Sequence, residues 1–453
     1  MSQYKLKCLH PECGKEYEDN DVNLRMQCDG EITGEHGPAL LTAVYQKKQI
    51  TVKTELPGIF QYLEWLPVGA YYIDPTDFEL GKPLCYRSAG LAKRLGLKHL
   101  YIAFSGYWPE RGGNLLTRTF KEFECQASIV RYLKNNINTN PLPYIISSAG
   151  NTGNGYNLMT YLLRLPLFLV IPETGLDKLL LPFKTEPFVI VVKGDYFDAT
   201  IMADNIARKT GLVRDGGVRN IARRAGLGAV MLHAVAHPEE GTKQLFDHYF
   251  QAVGSGTGAI AAWEAVQLLL ADGCFGNTVT KIHMAQNAPF SPIVDSWEKG
   301  LRNLEAIPDT VARERIFSST ADVLTNRHPP YAIAGGIFDT LTATKGSAWK
   351  VNNYQVFHAA RIFRESEGVD IGPAAAVAVD ALRQAVVSGK VQKSERILLH
   401  VTGGGKEIQY SRGLVYQVNP HIVVEPDEVD RAVEVVGKPV LISNHRDQLK
   451  KYE

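Results

Sequence analysis

Short, wholly apolar segments alternate with amphipathic segments along most of the chain. After about residue 95, apolar runs such as KHLYIAF, PYII, LFLVIP and FVIVVKG are separated by helical patterns such as TFKEFECQASIVRYLKNN and YFDATIMADNIARKTG. Strands that are buried on both faces read as continuous apolar runs, and helices connect them into parallel sheets. The pattern therefore predicts an α/β fold, with parallel sheets covered by helices on both faces.

The first 45 residues break this pattern, because they are polar, rich in turn formers and carry three of the six cysteines. Cys8, Cys13 and Cys28 are too few for a complete zinc ribbon, although His10 or His36 could supply a fourth ligand. We treat these cysteines as candidate zinc ligands. The alternative is a degenerate ribbon that folds without metal. A dense apolar segment, LPGIFQYLEWLPV, starts at residue 56, so we expect a boundary near residue 45.

Composition limits the possible functions. The 453 residues are 45% hydrophobic and 21% charged, which is enough for two or three packed units without a bias towards disorder. A formal net charge of +1 gives no broad basic surface for nucleic acid or an anionic membrane, so any anion must be bound locally. No apolar run approaches the ~20 residues that span a bilayer, and no signal-peptide pattern is visible. We therefore expect a cytoplasmic protein without nucleic-acid or membrane partners.

Three loops at predicted strand-to-helix junctions carry the candidate chemistry, because open α/β sheets bind ligands at the carboxyl ends of their strands. The first is a glycine-rich loop at a helix start, which can gather backbone N–H groups around a phosphate. A tight turn without ligand and a nucleotide phosphate site are the alternatives, although no Walker motif is present. This loop consists of Gly254, Ser255, Gly256, Thr257 and Gly258.

The second and third loops add polar groups. Residues 147–155, SSAGNTGNG, combine hydroxyls, amides and backbone donors, whereas a plain helix cap needs only one such side chain. We interpret this loop as a site for a carboxylate. The third loop, TRTFKE at 117–122, places Lys121 at a helix start. A lone lysine is usually a surface group, so only its order relative to the other loops makes Lys121 a candidate.

The order of these motifs resembles the fold-type II pyridoxal-phosphate enzymes, and within them the threonine synthase group. The similar stretches are Thr-Phe-Lys at 119–121, Ser-Ala-Gly-Asn-Thr at 148–152, the 254–258 glycine loop, and Val-Thr-Gly-Gly-Gly-Lys at 401–406. The resemblance covers about residues 85–410. It implies a tryptophan synthase β-like fold with two parallel-sheet α/β domains. The expected units are a zinc-ribbon-like segment at 1–45, a large cofactor-binding domain at 46–120 and 236–453, and a small α/β domain at 121–235.

The resemblance also assigns roles, position by position. Lys121 matches the Schiff-base lysine, Asn151 the residue at the phenolic oxygen of pyridoxal phosphate, and Thr402 the hydroxyl residue at the pyridine nitrogen. Residues 254–258 match the phosphate cup. The loop that receives the substrate carboxylate corresponds to Ser148, Ala149, Gly150, Asn151 and Thr152. Candidate arginines for anionic groups are Arg111, Arg118, Arg219, Arg223 and Arg224, of which we favour Arg118 because it lies three positions before Lys121.

Segments such as LPGIFQYLEWLPV and YIAFSGYWPERG are most similar to the members of this group that convert O-phospho-L-serine and sulfite to L-cysteate and phosphate for coenzyme M biosynthesis. The resemblance implies this reaction, small anionic substrates and a homo-oligomer. The alternatives are threonine synthesis from O-phosphohomoserine, another β-replacement or elimination, a non-catalytic sensor, or a nucleotide-binding regulator. Threonine synthases usually have Gly-Ser-Phe before the lysine and Asp after it, whereas Arg118-Thr119-Phe120 and Glu122 flank Lys121, which disfavours O-phosphohomoserine.

Overall fold

The computed structural model describes residues 3–68, 79–136 and 142–442. Its strands are β1 (Tyr4–Cys8), β2 (Glu16–Tyr17), β3 (Leu41–Tyr45), β4 (Leu84–Arg87), β5 (His99–Phe104), β6 (Tyr107–Trp108), β7 (Gly113–Asn114), β8 (Tyr144–Ser147), β9 (Leu167–Pro172), β10 (Leu180–Leu181), β11 (Phe188–Val192), β12 (Val213–Arg214), β13 (His248–Ala252), β14 (Lys281–Asn287), β15 (Ala348–Val351), β16 (Arg396–Val401), β17 (Tyr416–Gln417) and β18 (Ile422–Val424).

The helices of the described residues are α1 (Asp29–Ile32), α2 (Gly90–Leu95), α3 (Lys121–Asn135), α4 (Asn151–Leu162), α5 (Tyr196–Thr210), α6 (Ile221–Ala236), α7 (Thr257–Asp272), α8 (Pro292–Glu298), α9 (Asp309–Phe317), α10 (Ile337–Thr344), α11 (Asn353–Glu367), α12 (Pro373–Val387), α13 (Lys406–Ser411) and α14 (Val429–Ile442). Short 3-10 helices lie at Gly58–Trp65, Pro109–Arg111, Glu173–Lys178, Gly217–Arg219 and Asp322–Leu324. None of the described helices is long and apolar enough to cross a membrane.

The larger sheet has six strands in the order β15-β14-β13-β16-β5-β4, and all neighbours are parallel except the β4–β5 pair. Alternate residues of β16 face opposite cores: Leu398 packs with α6 and α7, while Ile397 and Leu399 pack with α11 and α12. Both faces of the sheet are therefore buried, as the apolar runs predicted.

The smaller sheet has five parallel strands in the order β12-β8-β9-β11-β18. Its centre, LFLVIP in β9, is buried at every position. The sequence assigned residues 236–453 to the larger unit, whereas β18 pairs with β11 and α14 packs on α5. The chain thus returns to the smaller sheet after β16, because the three apolar residues of β18 complete the edge of β11.

The N-terminal segment forms a three-stranded antiparallel sheet in the order β2-β1-β3. It is joined to the body of the protein by ion pairs. The fully buried Arg131 of α3 donates to both carboxylate oxygens of Asp19, at 2.7 and 3.0 Å. Arg219 donates to Glu31 at 2.6 and 2.9 Å. Salt bridges of this kind fix the segment against α3 and the start of α6.

We predict that Asp19→Asn lowers the free energy of unfolding by about 3–5 kcal/mol at neutral pH, because it leaves Arg131 charged and buried without its partner. Burial raises the pKa of Asp19, but the hydrogen bonds and charge of Arg131 outweigh it and lower the pKa below its ordinary value of 3.8. The difference between wild type and variant should therefore persist above that pH and shrink as the pH falls below it.

Urea unfolding at several pH values measures this difference. Glu18→Gln is the matched control, since Glu18 is exposed and its ion pair with Lys5 should contribute no more than about 1 kcal/mol. Equal losses of stability in the two variants would contradict the assignment of the buried pair.

Candidate active site

A cavity of about 450 Å³ lies between the two sheets, and the three predicted loops line its wall. Such a volume suits a cofactor or small ligand. Of Arg118, Lys121, Thr402 and the predicted residues 148–152 and 254–258, Gly150 alone does not line it: the φ of Gly150 is 127°, and a Cβ there would lie 2.6 Å from the Cβ of Lys178. The predicted residues brought together are Arg118, Lys121, Ser148, Ala149, Asn151, Thr152, Gly254, Ser255, Gly256, Thr257, Gly258 and Thr402.

Lys121 is the first residue of α3, and its side chain is only 18% exposed. Its Nζ lies 3.1 Å from Oε2 of Glu124, one helical turn later. Burial lowers the pKa of Lys121; Glu124 opposes this shift and Arg223 reinforces it. A lysine with a lowered pKa is more often neutral, and therefore more nucleophilic and more basic towards a nearby proton.

A compensated set of charges surrounds Lys121. Arg223 lies 2.8 Å from Glu124 and also pairs with Asp215, while the hydroxyl of Thr152 donates to Glu124 at 2.8 Å. The positive charges of Lys121 and Arg223 are therefore compensated by the negative charges of Glu124 and Asp215. Both carboxylates form ion pairs with Arg223. The sequence analysis missed Glu124, although the i,i+3 spacing from Lys121 was a readable signal.

Two backbone hydrogen bonds hold the lysine loop against the loop after β16. The N–H of Phe120 donates to the carbonyl of Thr402, and the N–H of Gly404 donates to the carbonyl of Arg118, both at 3.1 Å. A Cβ at Gly403 would lie 3.0 Å from the oxygen of Arg118, so glycine allows this close approach. The contact places Lys121 and Thr402 on the same cavity wall.

The glycine loop follows β13 and leads into α7. Gly256 adopts a left-handed φ of 71°, and the hydroxyls of Ser255 and Thr257 lie 2.9 Å apart. A Cβ at Gly258 would lie 2.4 Å from Nε2 of Gln251, so a side chain there would crowd the loop. The first N–H groups of a helix have no intrahelical acceptor, and here they adjoin the cavity.

A buried neutral network supports this loop from below. The ring of Phe120 packs edge-on against His400, and Nδ1 of His400 lies 2.8 Å from the hydroxyl of Tyr249. Tyr249 in turn donates to Gln251 at 2.7 Å. Burial lowers the pKa of His400 to about 3, so this ring stays neutral. No motif in the sequence indicated the network, since its members come from three segments far apart in the chain: Phe120 before α3, Tyr249 and Gln251 in β13, and His400 in β16.

The loop after β8 is stabilised by its own serine. The hydroxyl of Ser148 accepts hydrogen bonds from the N–H groups of Gly150 and Gly153 at 3.0 and 2.8 Å. The acceptor positions of this hydroxyl are therefore used within the turn. Asn151 is the first residue of α4 and lines the cavity. The Asn151 amide is thus placed at the wall, while Ser148 shapes the loop.

Two of the five candidate arginines line the cavity, namely Arg118 and Arg223. Arg118 has a left-handed φ of 61°, is 8% exposed, and donates to Gln409 Oε1 at 2.8 Å and to the carbonyl of Leu180 at 3.5 Å. These acceptors are neutral. Arg118 therefore keeps a positive charge that no carboxylate hydrogen bond among the described residues neutralises.

The other three arginines lie elsewhere. Each has its own partners: Arg111 lies over the rings of Tyr86 and Trp108, Arg219 pairs with Glu31, and Arg224 pairs with Glu264 and two backbone carbonyls. Charge alone could not separate these five arginines in the sequence, because their positions depend on the fold.

Further residues line the cavity, some from segments without a motif and some from the motifs at 119–121 and 401–406. Lys178 and Asp322 form an ion pair at its wall, and Lys406 and Tyr196 also line it. The hydroxyl of Thr119 is buried without a hydrogen-bond partner among the described residues. An unpartnered buried polar atom at a cavity wall indicates a place for a ligand.

The predicted metal ligands also converge. Cys8, Cys13 and Cys28 meet in the N-terminal segment together with His36, and their ligand atoms all lie within 4.8 Å of one another. His10, the alternative fourth ligand, stacks its ring on His36 instead. This cluster lies outside the cavity and does not share its lining residues.

The cavity residues fit pyridoxal phosphate. The glycine loop at the start of α7 offers backbone donors without side chains in the way, and Lys121 offers an amine whose pKa is lowered by burial. The unpartnered Thr119 hydroxyl lies between Arg118 and Phe120 on the same wall. Backbone donors suit a phosphate, an amine suits an aldehyde, and a hydroxyl suits a polar atom of the cofactor ring.

Solved structures support the fold. The processed form of threonine deaminase isoform 2 from Solanum lycopersicum matches with a TM-score of 0.51 at 17% identity, covering 81% of this chain and 96% of that chain. Maize serine racemase matches with a TM-score of 0.54 at 15% identity, covering 73% and 91%. At these identities the likeness concerns the fold alone.

Sequence comparisons identify the family. The family model described as "Pyridoxal-phosphate dependent enzyme" matches residues 79–403. Cysteate synthase of Methanoculleus marisnigri is 40% identical over 439 residues, covering 94% of each chain. Cysteate synthase of Methanosarcina barkeri is 39% identical over 427 residues, covering 93% of this chain and 96% of the relative. This chain belongs to the pyridoxal-phosphate dependent enzymes, within the cysteate synthase family.

Proposed function

We propose that this chain converts O-phospho-L-serine and sulfite to L-cysteate and phosphate. Relatives named cysteate synthase, similar over nearly the whole chain, support the reaction. The observation that carries the proposal is the single cavity that unites Lys121, the glycine loop and Thr402, because this enzyme family needs all three types of group at one cofactor. The names of these relatives favour O-phospho-L-serine over the alternative substrate, O-phosphohomoserine.

We assign the cofactor-binding roles as follows. Lys121 binds the cofactor covalently, the backbone of Gly254–Gly258 binds its phosphate, Asn151 donates to its phenolic oxygen, and Thr402 lies at its ring nitrogen. The position of each residue in the cavity wall supports these roles. Within the Ser148–Thr152 loop, the N–H groups of Ala149, Asn151 and Thr152 receive the substrate carboxylate, because the start of α4 leaves backbone donors free of intrahelical acceptors. The N–H groups of Ser148 and Gly150 are already bonded within the fold.

The chemistry then depends on proton transfer by Lys121. When bound, pyridoxal phosphate withdraws electrons from the substrate Cα, which makes the Cα proton removable and the phosphate at Cβ expellable. The substrate amino group would displace Lys121 from the cofactor and so free its amine. With its lowered pKa, the freed Lys121 Nζ takes the Cα proton, and Glu124 stabilises the resulting ammonium. Phosphate departs with the electrons of the Cβ–O bond, the sulfur lone pair of sulfite forms the Cβ–S bond, and Nζ returns the proton to Cα. No oxidant or reductant is consumed.

The anions need positive charge that other side chains have not already neutralised. Arg223 is paired with two carboxylates and Lys178 with one, whereas the hydrogen bonds of Arg118 go to neutral acceptors. Lys406 also lines the cavity, its Nζ lies 5.1 Å from the centre of the Tyr410 ring, and no carboxylate within the described part of the chain forms an ion pair with it. We assign recognition of the phosphate and sulfite to Arg118, with Lys406 as a second source of positive charge.

We also propose that the enzyme acts in the cytoplasm as a homo-oligomer. The resemblance to the threonine synthase group supports the assembly, and light scattering of the purified protein would measure it.

Incubation of the purified protein with O-phosphoserine and sulfite should release phosphate and form L-cysteate, identified by mass spectrometry. Omission of sulfite should abolish cysteate, because sulfite supplies the sulfur. O-Phosphohomoserine is the comparison substrate. Threonine formed from it, without cysteate from O-phosphoserine, would overturn the proposed reaction and leave the cofactor site intact.

Lys121→Ala should lower kcat/KM by at least about 100-fold and abolish the visible absorption of covalently bound cofactor, because the variant lacks the amine that binds it and moves the proton. Lys98→Ala is the matched control, since Lys98 is exposed and does not line the cavity. Unchanged absorption in the Lys121 variant would contradict the covalent role.

Arg118→Gln should lower kcat/KM for O-phosphoserine and sulfite by about 10–100-fold, because a hydrogen bond to a charged group contributes about 1.5–3 kcal/mol. Cofactor absorption should stay normal. Arg111→Gln is the control, since Arg111 lies outside the cavity in the same segment. Identical steady-state kinetics in the two variants would refute anion binding by Arg118.

A further inference from the structure

Four potential metal ligands meet beside the N-terminal sheet, away from the active-site cavity. Cys8 ends β1 and Cys28 precedes α1, and both side chains are buried. The Sγ atoms of Cys13 and Cys28 lie 3.4 Å apart. Nε2 of His36 lies 3.3 Å from Sγ of Cys28 and 3.8 Å from Sγ of Cys8.

These distances match the edges of a tetrahedron around zinc. With Zn–S bonds of about 2.3 Å and Zn–N bonds of about 2.0–2.1 Å, two tetrahedral sulfur ligands lie about 3.8 Å apart, and a sulfur and a nitrogen lie about 3.6 Å apart. The two sulfur–nitrogen separations of 3.3 and 3.8 Å lie on either side of the expected value, and the sulfur–sulfur separation of 3.4 Å is within about 0.4 Å of it. The cluster therefore has the size that one tetrahedral ion requires, before any movement of the backbone.

The structure selects His36 over His10 as the fourth ligand. Nδ1 of His36 bonds the carbonyl of Gly37 at 2.8 Å, so Nδ1 carries the proton and the lone pair of Nε2 faces the sulfurs. Zinc-binding histidines are oriented by an outer acceptor of this kind. His10 stacks on His36 with ring centres 4.4 Å apart, and its Nδ1 accepts the N–H of Glu12 instead.

The local backbone also favours this arrangement. A Cβ at Gly30 would lie 2.7 Å from Nε2 and Cδ2 of His36, so only glycine lets the ring reach Cys28. Two of the sulfur atoms also have hydrogen-bond partners. The N–H of His10 donates to Sγ of Cys8 at 3.5 Å, and the hydroxyl of Tyr17 lies 3.1 Å from Sγ of Cys28. Such outer contacts stabilise thiolates bound to a metal.

A second cluster of possible metal ligands, formed by His233, His237 and Glu240, differs from the first because its groups are already paired with other side chains. Both ring nitrogens of His233 are engaged, with the hydroxyl of Tyr62 at 2.8 Å and with Glu240 at 2.9 Å. Glu240 also pairs with Lys82. The groups there already neutralise one another, whereas the partners of the N-terminal thiols are the His36 ring, the Tyr17 hydroxyl, a backbone N–H and another thiol, with no carboxylate among them.

We propose that the N-terminal segment binds one zinc ion through four protein ligands: Cys8 Sγ, Cys13 Sγ, Cys28 Sγ and His36 Nε2. All four coordination positions are filled by the chain, which is typical of structural rather than catalytic zinc. The ion fixes the segment between Cys28 and His36. This segment carries Glu31, whose ion pair with Arg219 anchors it beside the start of α6. The site is independent of the proposed reaction.

The test is the metal content of the full-length protein, produced with zinc in the medium and measured by plasma mass spectrometry. The wild type should contain one zinc ion per chain, and Cys28→Ser should contain none. His36→Gln should bind zinc more than about 100-fold more weakly, because loss of an outer partner alone weakens binding about 10–100-fold. His10→Gln and Cys274→Ser are matched controls that should keep the ion, since Cys274 is exposed elsewhere.

Cobalt substitution of the wild type covers the case in which a ligand variant does not fold. Tetrahedral Co²⁺ with three thiolates should give intense red-region d–d bands, which do not overlap the cofactor absorption. Wild-type protein without zinc and without these bands, or a His36→Gln variant that binds zinc as tightly as His10→Gln, would overturn the proposal. Neither result would depend on cysteate formation, so the zinc site and the proposed reaction can fail separately.

Discussion

The site depends on a backbone contact between two segments that are far apart in the sequence. Phe120 and Arg118 exchange hydrogen bonds with Thr402 and Gly404, and the next residue after Phe120 is the lysine. The backbone at Lys121 is therefore held against the end of β16, and the contact with Glu124 then positions Nζ. Because Gly403 has no Cβ, the two backbones can approach this closely. The glycines after β16 therefore have a structural role in positioning the lysine loop.

This contact places a lysine where burial disfavours its charge, and the surrounding side chains limit that cost. Glu124 partly compensates the ammonium, while Arg223 and Asp215 keep the group neutral overall. An isolated buried lysine would lose its proton altogether, and a fully solvated one would keep it. The arrangement holds the amine between these limits, which suits a group that must bind an aldehyde and later accept and return one proton.

The sequence predicted the parts that local patterns encode. Continuous apolar runs such as that of β9 identified parallel strands, and three glycine- or hydroxyl-rich junctions identified the cavity wall. Pairings between distant segments were not predictable: β18 is only three residues long, and its place beside β11 depends on the folded sheet. Likewise, sequence order favoured Arg118 among five candidate arginines, but only the fold shows that Arg118 and Arg223 line the cavity while Arg219 pairs with the N-terminal segment.

Helix α3 connects the N-terminal segment to the active site. Lys121 is its first residue, and Arg131 lies ten residues, or about 15 Å, further along. Arg131 is fully buried against Asp19, so the N-terminal segment holds one end of the helix whose other end carries the reactive amine. A helix transmits such a constraint as a rigid body, because its own hydrogen bonds resist bending. The cysteine-bearing segment therefore contributes to the geometry of a site that none of its residues lines.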